Sequence, residues 1–484
     1  GDENVTIDVG ATYTDAGYTV AGLTTTDAQY YTPYGYKVTK TGEVVTSTVG
    51  VYQIKYEITR TYNNAGTTQT DTLMSVTRNV TVKGATASDM ITEWTIPSAN
   101  TTIKLPVQSY GGNSLNITVD WGDGSAVQTV TTNFPTHTYT TAGTYDITVS
   151  GTCPAWGYIG SDTVSTILNS DYYTYTQYLT KVKQFGELNA QYYGFSQCQK
   201  LTSVKGATAN STSNVTTMAN MFYYCSRLTE LDLTNFDTSK VTDMNYMFFK
   251  VRAQEIDVSS FNTSNVTNMA YMFGQCGFLT KISLSSFNTS KVTTMSSMFT
   301  RCVALTELDL SKFKTSKVAY MDGMFSDCTS LKSLKVSALN FNTANVTTMR
   351  NMFYNCSSLS EIPVANFNTS NVTTFSEMFA RCSSLKTLNL SNFIVSSYWE
   401  GDDSNSMLNG CTSLRSIQIS SSFKVPMRRM FLNTPNLTAI IVLGDTPSAE
   451  QFSPCLEDLE GKTFYVTDEE FVDIYRKAWA DGFS

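Results

Sequence analysis

A segment that recurs every 23 to 29 residues constrains the fold of this chain more than any other feature of the sequence. Its clearest copy, FNTSKVTTMSSMFTRCVALTELDL, occupies residues 287–310. Copies are aligned on a Met-Phe pair, whose second residue is here called the anchor residue. The anchor residues are Phe222, Phe248, Phe273, Phe299, Phe325, Phe353, Phe379, the degenerate Leu408 and Phe431. A repeat of this length predicts a solenoid, because a single unit cannot bury its own apolar face and must stack on its neighbours.

Two hydrophobic patterns follow each other within one copy. The first half carries apolar residues at helical spacing, which predicts a short helix with one buried face. The apolar residues of this helix are Val292, Met295, Met298 and Phe299. In the second half, Leu308 and Leu310 alternate with polar residues, which predicts a strand with both leucines on one side. The strands of successive copies must then pair in parallel.

Equivalent positions of successive copies are expected to stack into columns along the solenoid. One column consists of phenylalanines, and each buried ring contributes roughly 1.5–3 kcal/mol to stability. We interpret this column as a core spine and not as a ligand site. Its members are Phe236, Phe261, Phe287, Phe313, Phe341, Phe367 and Phe393.

A second column contains most of the cysteines. An even number of cysteines in an exported chain favours disulfides. However, Val251 and Thr434 fill the same position in two copies, which indicates a site for a small, mostly apolar side chain. We therefore predict buried free thiols, with disulfides as the alternative. The cysteines of the column are Cys198, Cys225, Cys276, Cys302, Cys328, Cys356, Cys382 and Cys411. Because the sequence has no Cys-x-x-Cys pair, it predicts no structural zinc. No metal ligand is assigned elsewhere in the chain.

The repeat resembles that of the BspA-like leucine-rich repeat surface proteins of bacteria. The shared pattern reads Met-Phe-x-x-Cys-x-x-Leu-x-x-Leu-x-Leu, then Phe-x-Thr-Ser-x-Val-Thr-x-Met, and covers residues 179–443. The resemblance implies a leucine-rich-repeat α/β solenoid displayed outside the cell and linked to adhesion, and it brings no catalytic residues. This chain departs from the pattern at 249–258, where Val251 replaces the cysteine and one residue is missing, and at 393–411, where residues 398–403 add length.

The N-terminal part of the chain predicts two β-sandwich domains. Residues 1–84 alternate apolar and polar side chains in short runs, as half-buried strands do. They resemble a bacterial Ig-like module, in the segment ATYTDAG at 11–17 and the strand GVYQIKY at 50–56. Residues 85–152 resemble a polycystic-kidney-disease (PKD)-like module, because the segment WGDG at 121–124 places a tight turn directly after a strand.

The same turn contains the residues that come nearest to a metal or catalytic motif in this region. Asp120 and Asp123 are two carboxylates on one turn, and we interpret them as turn formers, with a metal site as the alternative. His137 is the only histidine of the chain. It precedes a strand in the PKD-like pattern, so a structural role is expected for it.

Two segments are predicted to cover the ends of the solenoid, where core and strand edge would otherwise be exposed. Residues 153–178 are rich in aromatics and are expected to form the junction and the N-terminal cap. Residues 437–443 are expected to form the last strand. The C-terminal cap is assigned to 444–484, where a capping-box pattern begins a helix over 467–478.

Composition bounds the location and the partners of the chain. The net charge is −8 and no basic stripe is visible, which argues against nucleic acid as a partner. No run of about 18 apolar residues is present, so no transmembrane segment is predicted. The sequence begins without methionine or a signal peptide, and we expect a mature, monomeric protein on the extracellular face of a bacterial cell, attached by a lipid through a removed leader.

The sequence contains no motif that indicates catalysis or a cofactor. It lacks a Gly-x-Ser-x-Gly, a His-Glu-x-x-His and a phosphate-binding loop. Asp232, Asp257 and Asp309 lie at one strand position, but other copies have serine, lysine, proline, asparagine or glutamine there, as on a solvated face. We therefore predict a non-enzymatic, adhesin-like protein that binds a host extracellular protein or glycan, or another bacterial surface. The alternatives are a structural spacer or display scaffold, and a glycan-binding accessory protein.

Aromatic residues outside the two columns are the candidate ligand-binding residues, because aromatic rings with polar rims often form binding hot spots. Tyr398 and Trp399 lie in the longer turn, and Tyr223, Tyr224 and Tyr354 follow anchor residues. For each of them, packing against a neighbouring turn is the alternative. Function is expected where the copies depart from the repeat, at 249–258 and 393–407.

Overall fold

The structure is a computed structural model, and it describes most of the repeat region and parts of both ends of the chain. The described residues are 4–8, 13–15, 18–20, 23–25, 30–31, 36–44, 50–83, 89–157, 177–186, 194–206, 212–394, 406–420, 429–443 and 462–466. Within these ranges all regular secondary structure is β. The chain divides into two compact units, Gly1–Thr86 and Ala87–Ser484.

The first unit is built around a long hairpin. Its described strands are β1 (Asn4–Asp8), β2 (Tyr18–Val20), β3 (Leu23–Thr25), β4 (Tyr30–Tyr31), β5 (Tyr36–Thr41), β6 (Gly50–Asn64) and β7 (Thr67–Lys83). They form a sheet in the order β1-β7-β6-β5-β4, with β1 parallel to β7, and a separate β2-β3 hairpin. Ile54, Tyr56 and Val80 are its buried core. The Ig-like assignment for 1–84 stays a prediction.

The second unit begins with an antiparallel region. Its strands are β8 (Met90–Ile96), β9 (Thr101–Lys104), β10 (Val107–Gln108), β11 (Asn116–Asp120), β12 (Gln128–Val130), β13 (Thr136–Tyr139), β14 (Gly143–Thr152) and β15 (Ala155–Trp156). Strands β12, β11, β14 and β8 form one sheet, and β13-β9 and β10-β15 form two short pairs. Trp94, Trp121 and Trp156 are at most 1% exposed at the centre of this region. The PKD-like assignment for 85–152 stays a prediction.

The antiparallel sheet continues directly into the solenoid. β16 (Leu179–Gln184) pairs antiparallel with β8, and β17 (Ser203–Val204) and β18 (Glu230–Leu231) follow in parallel. One sheet of seven strands therefore joins the two regions. Strand β8 covers the open edge of the first solenoid strand, which is the role predicted for 153–178. Residues 158–176 of that segment lie outside the described residues.

The solenoid has about nine turns and two sides. Its strand side contains β19 (Glu307–Leu310), β20 (Ser333–Val336), β21 (Thr387–Leu390), β22 (Ser416–Ser420), β23 (Ala439–Leu443) and β24 (Thr463–Val466). β19 pairs in parallel with β20, and β21 to β24 pair in parallel in sequence order. Leu308 and Leu310 are buried while Glu307 and Asp309 are exposed. The predicted parallel strands and their alternation are confirmed.

The other side of the solenoid is here called the turn side. It consists of turns where a short helix over Val292, Met295, Met298 and Phe299 was predicted. The described residues contain no helix, so the α/β class is wrong and the solenoid is a β-solenoid. The Met298 N–H donates to the Met295 carbonyl at 3.2 Å, which closes a turn. The Phe299 N–H donates to Met324 in the next copy at 3.0 Å. In an α-helix that N–H would bind within its own segment.

Left-handed backbone conformations explain why no helix forms there. The residues two before and two after each anchor residue have φ values near +60°, as at Ser297 (φ 53°) and Arg301 (φ 57°). A turn with positive φ at its third residue has the pattern of type II, and a helix needs negative φ throughout. The apolar spacing of a helix and that of two successive turns are similar enough to be confused.

The C-terminal end of the stack also differs from expectation. Because β24 pairs with β23, the prediction that residues 437–443 form the last strand is wrong. The helix predicted over 467–478 lies outside the described residues.

Candidate functional site

Stacked rings fill the interior of the described turns of the solenoid. Between Phe222 and Phe379, consecutive anchor rings stack with centroids 5.3 to 6.1 Å apart. The rings of the Phe236 to Phe393 column are at most 3% exposed. Both columns are therefore part of the core.

The cysteine column has a structural function of its own. The nine described cysteines are free and buried, as predicted for the column. The Cys302 thiol donates to the carbonyl of Phe273, the anchor residue of the preceding turn, at 3.1 Å. Burial raises the pKa of Cys302 well above its ordinary value, so the thiol stays protonated. The same bond recurs from Cys225, Cys276, Cys328, Cys356, Cys382 and Cys411.

The exterior of the turn side is where the turns differ most. Three positions of each turn lie there: two before, one after and two after the anchor residue. In the turns of Phe299 and Phe325 these positions hold Ser297, Thr300, Arg301, Gly323, Ser326 and Asp327. In the turns of Phe222, Phe248 and Phe273 five of them are aromatic. These are Tyr223, Tyr224, Tyr246, Phe249 and Tyr271, here called the aromatic patch.

The patch is organised around Phe249. The Phe249 ring stacks on Tyr223 with centroids 5.3 Å apart, and Tyr246 stacks on Tyr271 at 4.4 Å. Phe249 also meets Tyr246 edge-on at 5.3 Å and contacts Tyr224 at 6.2 Å. These offset and edge-on contacts hold each ring in one orientation. Phe249 is 7% exposed, whereas the four tyrosines are half-buried, so a buried ring supports four rings at the surface.

The surroundings of the patch fit its rings in two ways: a glycine leaves space for the Phe249 ring, and burial keeps the Tyr246 hydroxyl neutral. A Cβ added at Gly274 would lie 2.9 Å from the Phe249 ring, so the glycine leaves space for it. Burial, followed by the neighbouring Tyr271 and Tyr223, raises the pKa of Tyr246 well above its ordinary value. The Tyr246 hydroxyl therefore stays neutral and able to donate a hydrogen bond.

The backbone under the patch disfavours the residues that it carries. Tyr224, Tyr246 and Tyr271 have φ values of 60°, 53° and 55°. A bulky residue in this region costs about 1 kcal/mol or more, whereas glycine and asparagine adopt it readily. Other turns place residues of several sizes there, among them Gly323 and Glu377, and none of them is aromatic. The tyrosines are therefore not explained by the needs of the repeat, and strained positions of this kind are common at functional sites.

Two cations lie in the irregular segment 249–258. The Lys250 ammonium is 3.9 Å from the centroid of the Tyr224 ring. The Arg252 guanidinium is 4.8 Å from that of Phe278, whose side chain is 51% exposed. Val251 and Ala253 point inward in place of the usual cysteine and leucine.

The structure brings together only some of the residues predicted to bind a ligand. Tyr223 and Tyr224 belong to the aromatic patch, and segment 249–258 contributes Phe249 to it. Tyr354 is half-buried under Arg381, at 5.5 Å, with no ring contact to the patch among the described residues. Tyr398 and Trp399 lie outside the described residues.

Sequence reasoning missed Tyr246, Phe249 and Tyr271. The signal that could have found them was available: each is aromatic at a repeat position where other turns have small or polar residues. Reading the positions around each anchor residue as columns would have shown it.

The strand side carries a groove of about 340 Å³ that includes Asp309 and Lys335. Its carboxylate is committed to the local backbone, because Asp309 accepts the Ser311 N–H at 2.9 Å. Hydrogen bonds from the Ser311 side chain and backbone lower the pKa of Asp309 below its ordinary value. Asp232 and Asp257 bind Thr234 and Ser259 in the same way. This face therefore holds ionised turn formers, not carboxylates with the raised pKa of a general acid.

The single histidine and the turn carboxylates pack together in the antiparallel region. His137 Nε2 lies 2.7 Å from Asp123 Oδ2, and its ring stacks on Trp121 with centroids 4.7 Å apart. Burial would raise the pKa of Asp123, but hydrogen bonds from Ser125 and His137 lower it below its ordinary value. Asp120 accepts the Gly122 N–H at 2.9 Å. The described residues contain no group of three or more side chains suited to a metal. They also contain no helix of the length and apolarity needed to cross a bilayer.

The solenoid is the part of the chain that matches a known protein family. The family described as "Mycoplasma protein of unknown function, DUF285" matches residues 191–283, 277–339 and 332–443. No curated protein matches the sequence. Among solved structures, a leucine rich cell surface protein from Faecalibacterium prausnitzii A2-165 is similar over 70% of this chain and 96% of its own, with 15% identity and a TM-score of 0.28. A likeness at this level carries no argument about function.

Proposed function

The chain belongs, through residues 191–443, to the family described as "Mycoplasma protein of unknown function, DUF285", and we propose that it acts as a non-enzymatic, adhesin-like binding protein. Its place would be the extracellular face of a bacterial cell, with attachment by a lipid. Its partner would be a host extracellular protein or glycan, or another bacterial surface, and the aromatic patch would hold that partner.

The observation that carries the proposal is the patch itself. Half-buried tyrosines held rigidly by ring contacts provide contact area at little cost in side-chain entropy. Three of them occupy positive-φ positions at which the other described turns carry no aromatic residue. A surface that disfavours these residues locally but carries them together is better explained by binding than by packing.

Binding to arrays of glycans and extracellular-matrix proteins tests this proposal. The double variant Tyr246→Asn/Tyr271→Asn removes two surface rings and places at both sites a residue that tolerates positive φ. We expect its binding to fall by about tenfold or more, as for truncated hot spots. Circular dichroism and the melting temperature would show that the fold is kept.

A matched pair of variants makes the test specific to the patch. Tyr223 and Tyr354 occupy the same repeat position, and only Tyr223 belongs to the patch. Tyr223→Ser should weaken binding and Tyr354→Ser should not. Equal effects would contradict the assignment. Loss of binding with Trp399→Ala alone would instead place the surface in the longer turn.

A structural spacer is the second candidate, favoured by the sheet that runs from β12 to β18. A continuous sheet gives a stiff connection between the antiparallel region and the solenoid. Absence of binding to every array component would favour this reading.

A further inference from the structure

We infer that the aromatic patch takes an acidic carbohydrate, with sugar rings on the tyrosines and a carboxylate or sulfate on the Lys250 ammonium. This inference rests on the proposed function and names the ligand class for the same surface. It follows from the two cations of segment 249–258, which the repeat does not require.

Lys250 and Arg252 carry positive charges that no acidic side chain of the described residues pairs with. Neither cation has a carboxylate within ion-pairing distance among the described residues, although acidic residues outnumber basic ones by 41 to 33 in the chain. Arg301, at the same repeat position as Lys250, provides the contrast. Its guanidinium lies 3.5 Å from a carboxylate oxygen of Asp327 in the next turn. The positive charge beside the patch is therefore available to a ligand.

The Lys250 ammonium lies where it can bind an anionic group of a ligand that rests on the patch. The Lys250 ammonium is held over the Tyr224 ring by a cation–π contact, at the edge of the patch. The faces of tyrosine rings carry negative potential and do not attract an anion by themselves. A neutral sugar would need only the rings, whereas an acidic sugar needs a cation at their edge. The ammonium beside the tyrosine ring therefore fits an acidic sugar.

The charge around the patch favours a carbohydrate over nucleic acid, which also stacks on aromatic rings. Single-stranded nucleic acid needs a basic groove that follows several successive phosphates. Here one cation, the Lys250 ammonium, contacts the patch in a chain with a net charge of −8. One or two anionic groups on a ligand match this charge, and a phosphate backbone does not.

Titration with matched oligosaccharides tests the inference. One pair is 3′-sialyllactose and its methyl ester, which differ in the charge of one carboxylate. The other is a heparin hexasaccharide and its desulfated, N-acetylated and carboxyl-reduced form, which carries no charge. We expect at least one acidic member to bind about tenfold tighter than its neutral counterpart, as charge-assisted hydrogen bonds predict. The preference should weaken as NaCl rises, because the charges are at the surface.

Three variants assign the effect to residues. Lys250→Gln should abolish the preference for the acidic member and leave weak binding of both members, with Arg252→Gln giving a smaller loss. Arg301→Gln is the control, because its charge is already paired, and it should bind as the natural chain does. Tyr246→Asn should weaken binding of both members of a pair.

The outcomes distinguish this inference from the proposed function. If neutral and acidic sugars bind equally, or if Lys250→Gln keeps the preference, the acidic-carbohydrate inference is wrong. The proposed function then still stands, provided that Tyr246→Asn reduces binding. If none of the four oligosaccharides binds while a protein on the array does so through the patch, the partner is a protein. If patch variants change no binding at all, both proposals fall.

Discussion

Residues 220–275 and residues 297–327 of the solenoid have the same backbone arrangement and very different surfaces. Tyr246 and Ser297 occupy equivalent positions, both with φ 53°. Their N–H groups donate to the next turn at 2.9 and 2.8 Å, respectively. The two phenylalanine columns pass through both stretches without interruption. Yet the first stretch displays the aromatic patch and the second displays serine, threonine and an ion pair.

This difference teaches that core and surface are specified separately in a stacked repeat. Buried positions must match their neighbours above and below, so the same residue types recur. Exposed positions carry no such constraint, and one group of turns can acquire a binding surface without altering the stack. We therefore expect substitutions in the core to have the largest effects on stability and substitutions at the surface to have the smallest.

Removing a core ring should have the same large effect in both stretches. Phe313 and Phe261 belong to one column and are 0% and 2% exposed. We expect Phe313→Ala and Phe261→Ala each to lower the free energy of unfolding by about 3–5 kcal/mol, because each leaves a cavity. Guanidinium denaturation measures both. A much milder loss for Phe261→Ala would mean that the core beneath the patch is looser, and the comparison would fail.

The cysteine column should show an effect of intermediate size. Cys302→Val removes a buried S–H donor to the Phe273 carbonyl and should cost about 1 kcal/mol. The first stretch already has Val251 at this position. The reciprocal Val251→Cys is expected to be neutral or to stabilise by up to about 1 kcal/mol. Thermal unfolding under reducing conditions compares the two, and a stable Cys302→Val beside an unstable Val251→Cys would contradict the assigned bond.

Replacing a patch tyrosine should change stability little. Tyr246→Asn loses the packing of a half-buried ring and relieves a positive-φ conformation, two effects of opposite sign and about 1 kcal/mol each. We expect a net change below about 1 kcal/mol in the denaturation experiment used for Phe313→Ala. A loss as large as that of Phe313→Ala would show that the tyrosine is part of the core.

Removing the strand-position carboxylate of either stretch, Asp257 or Asp309, should change the pH dependence of stability equally and least of all. Hydrogen bonds from Ser259 and Ser311 lower the pKa of Asp257 and Asp309 in the folded state. Their contribution is therefore present above the unfolded pKa of about 3.9 and is lost as the pH falls below it. Both carboxylates are exposed, so the effect is small. Between pH 6 and pH 3, the melting temperature should depend less steeply on pH in Asp257→Asn and in Asp309→Asn than in the natural chain, and by the same amount in both. Unequal slopes would show that the two stretches differ.

Much of the fold could be predicted because the same pattern of core residues recurs in many copies of the repeat. The recurrence of Leu308 and Leu310 in equivalent copies predicted parallel strands with a buried side. The short helix was predicted wrongly because Ser297 and Arg301 are not residues that signal positive φ. Glycine or asparagine does occupy these positions in other copies, as at Gly323 and Asn351, and only the comparison of copies carries that signal. The place of β8 as the cover of the first solenoid strand left no local pattern in the sequence.

From the sequence alone it follows that the chain stacks and which residues fill the stack, the column cysteines among them. These follow from periodicity, which is a local property repeated along the chain. Only the tertiary structure decided that Tyr223, Phe249 and Tyr271 form one surface with Lys250 at its edge. Each of these rings belongs to a different turn, more than 20 residues from the next along the chain. Stacking at the spacing of paired strands brings them to about 6 Å or less between neighbouring turns, and such proximity across turns is a property of packing, not of the local pattern.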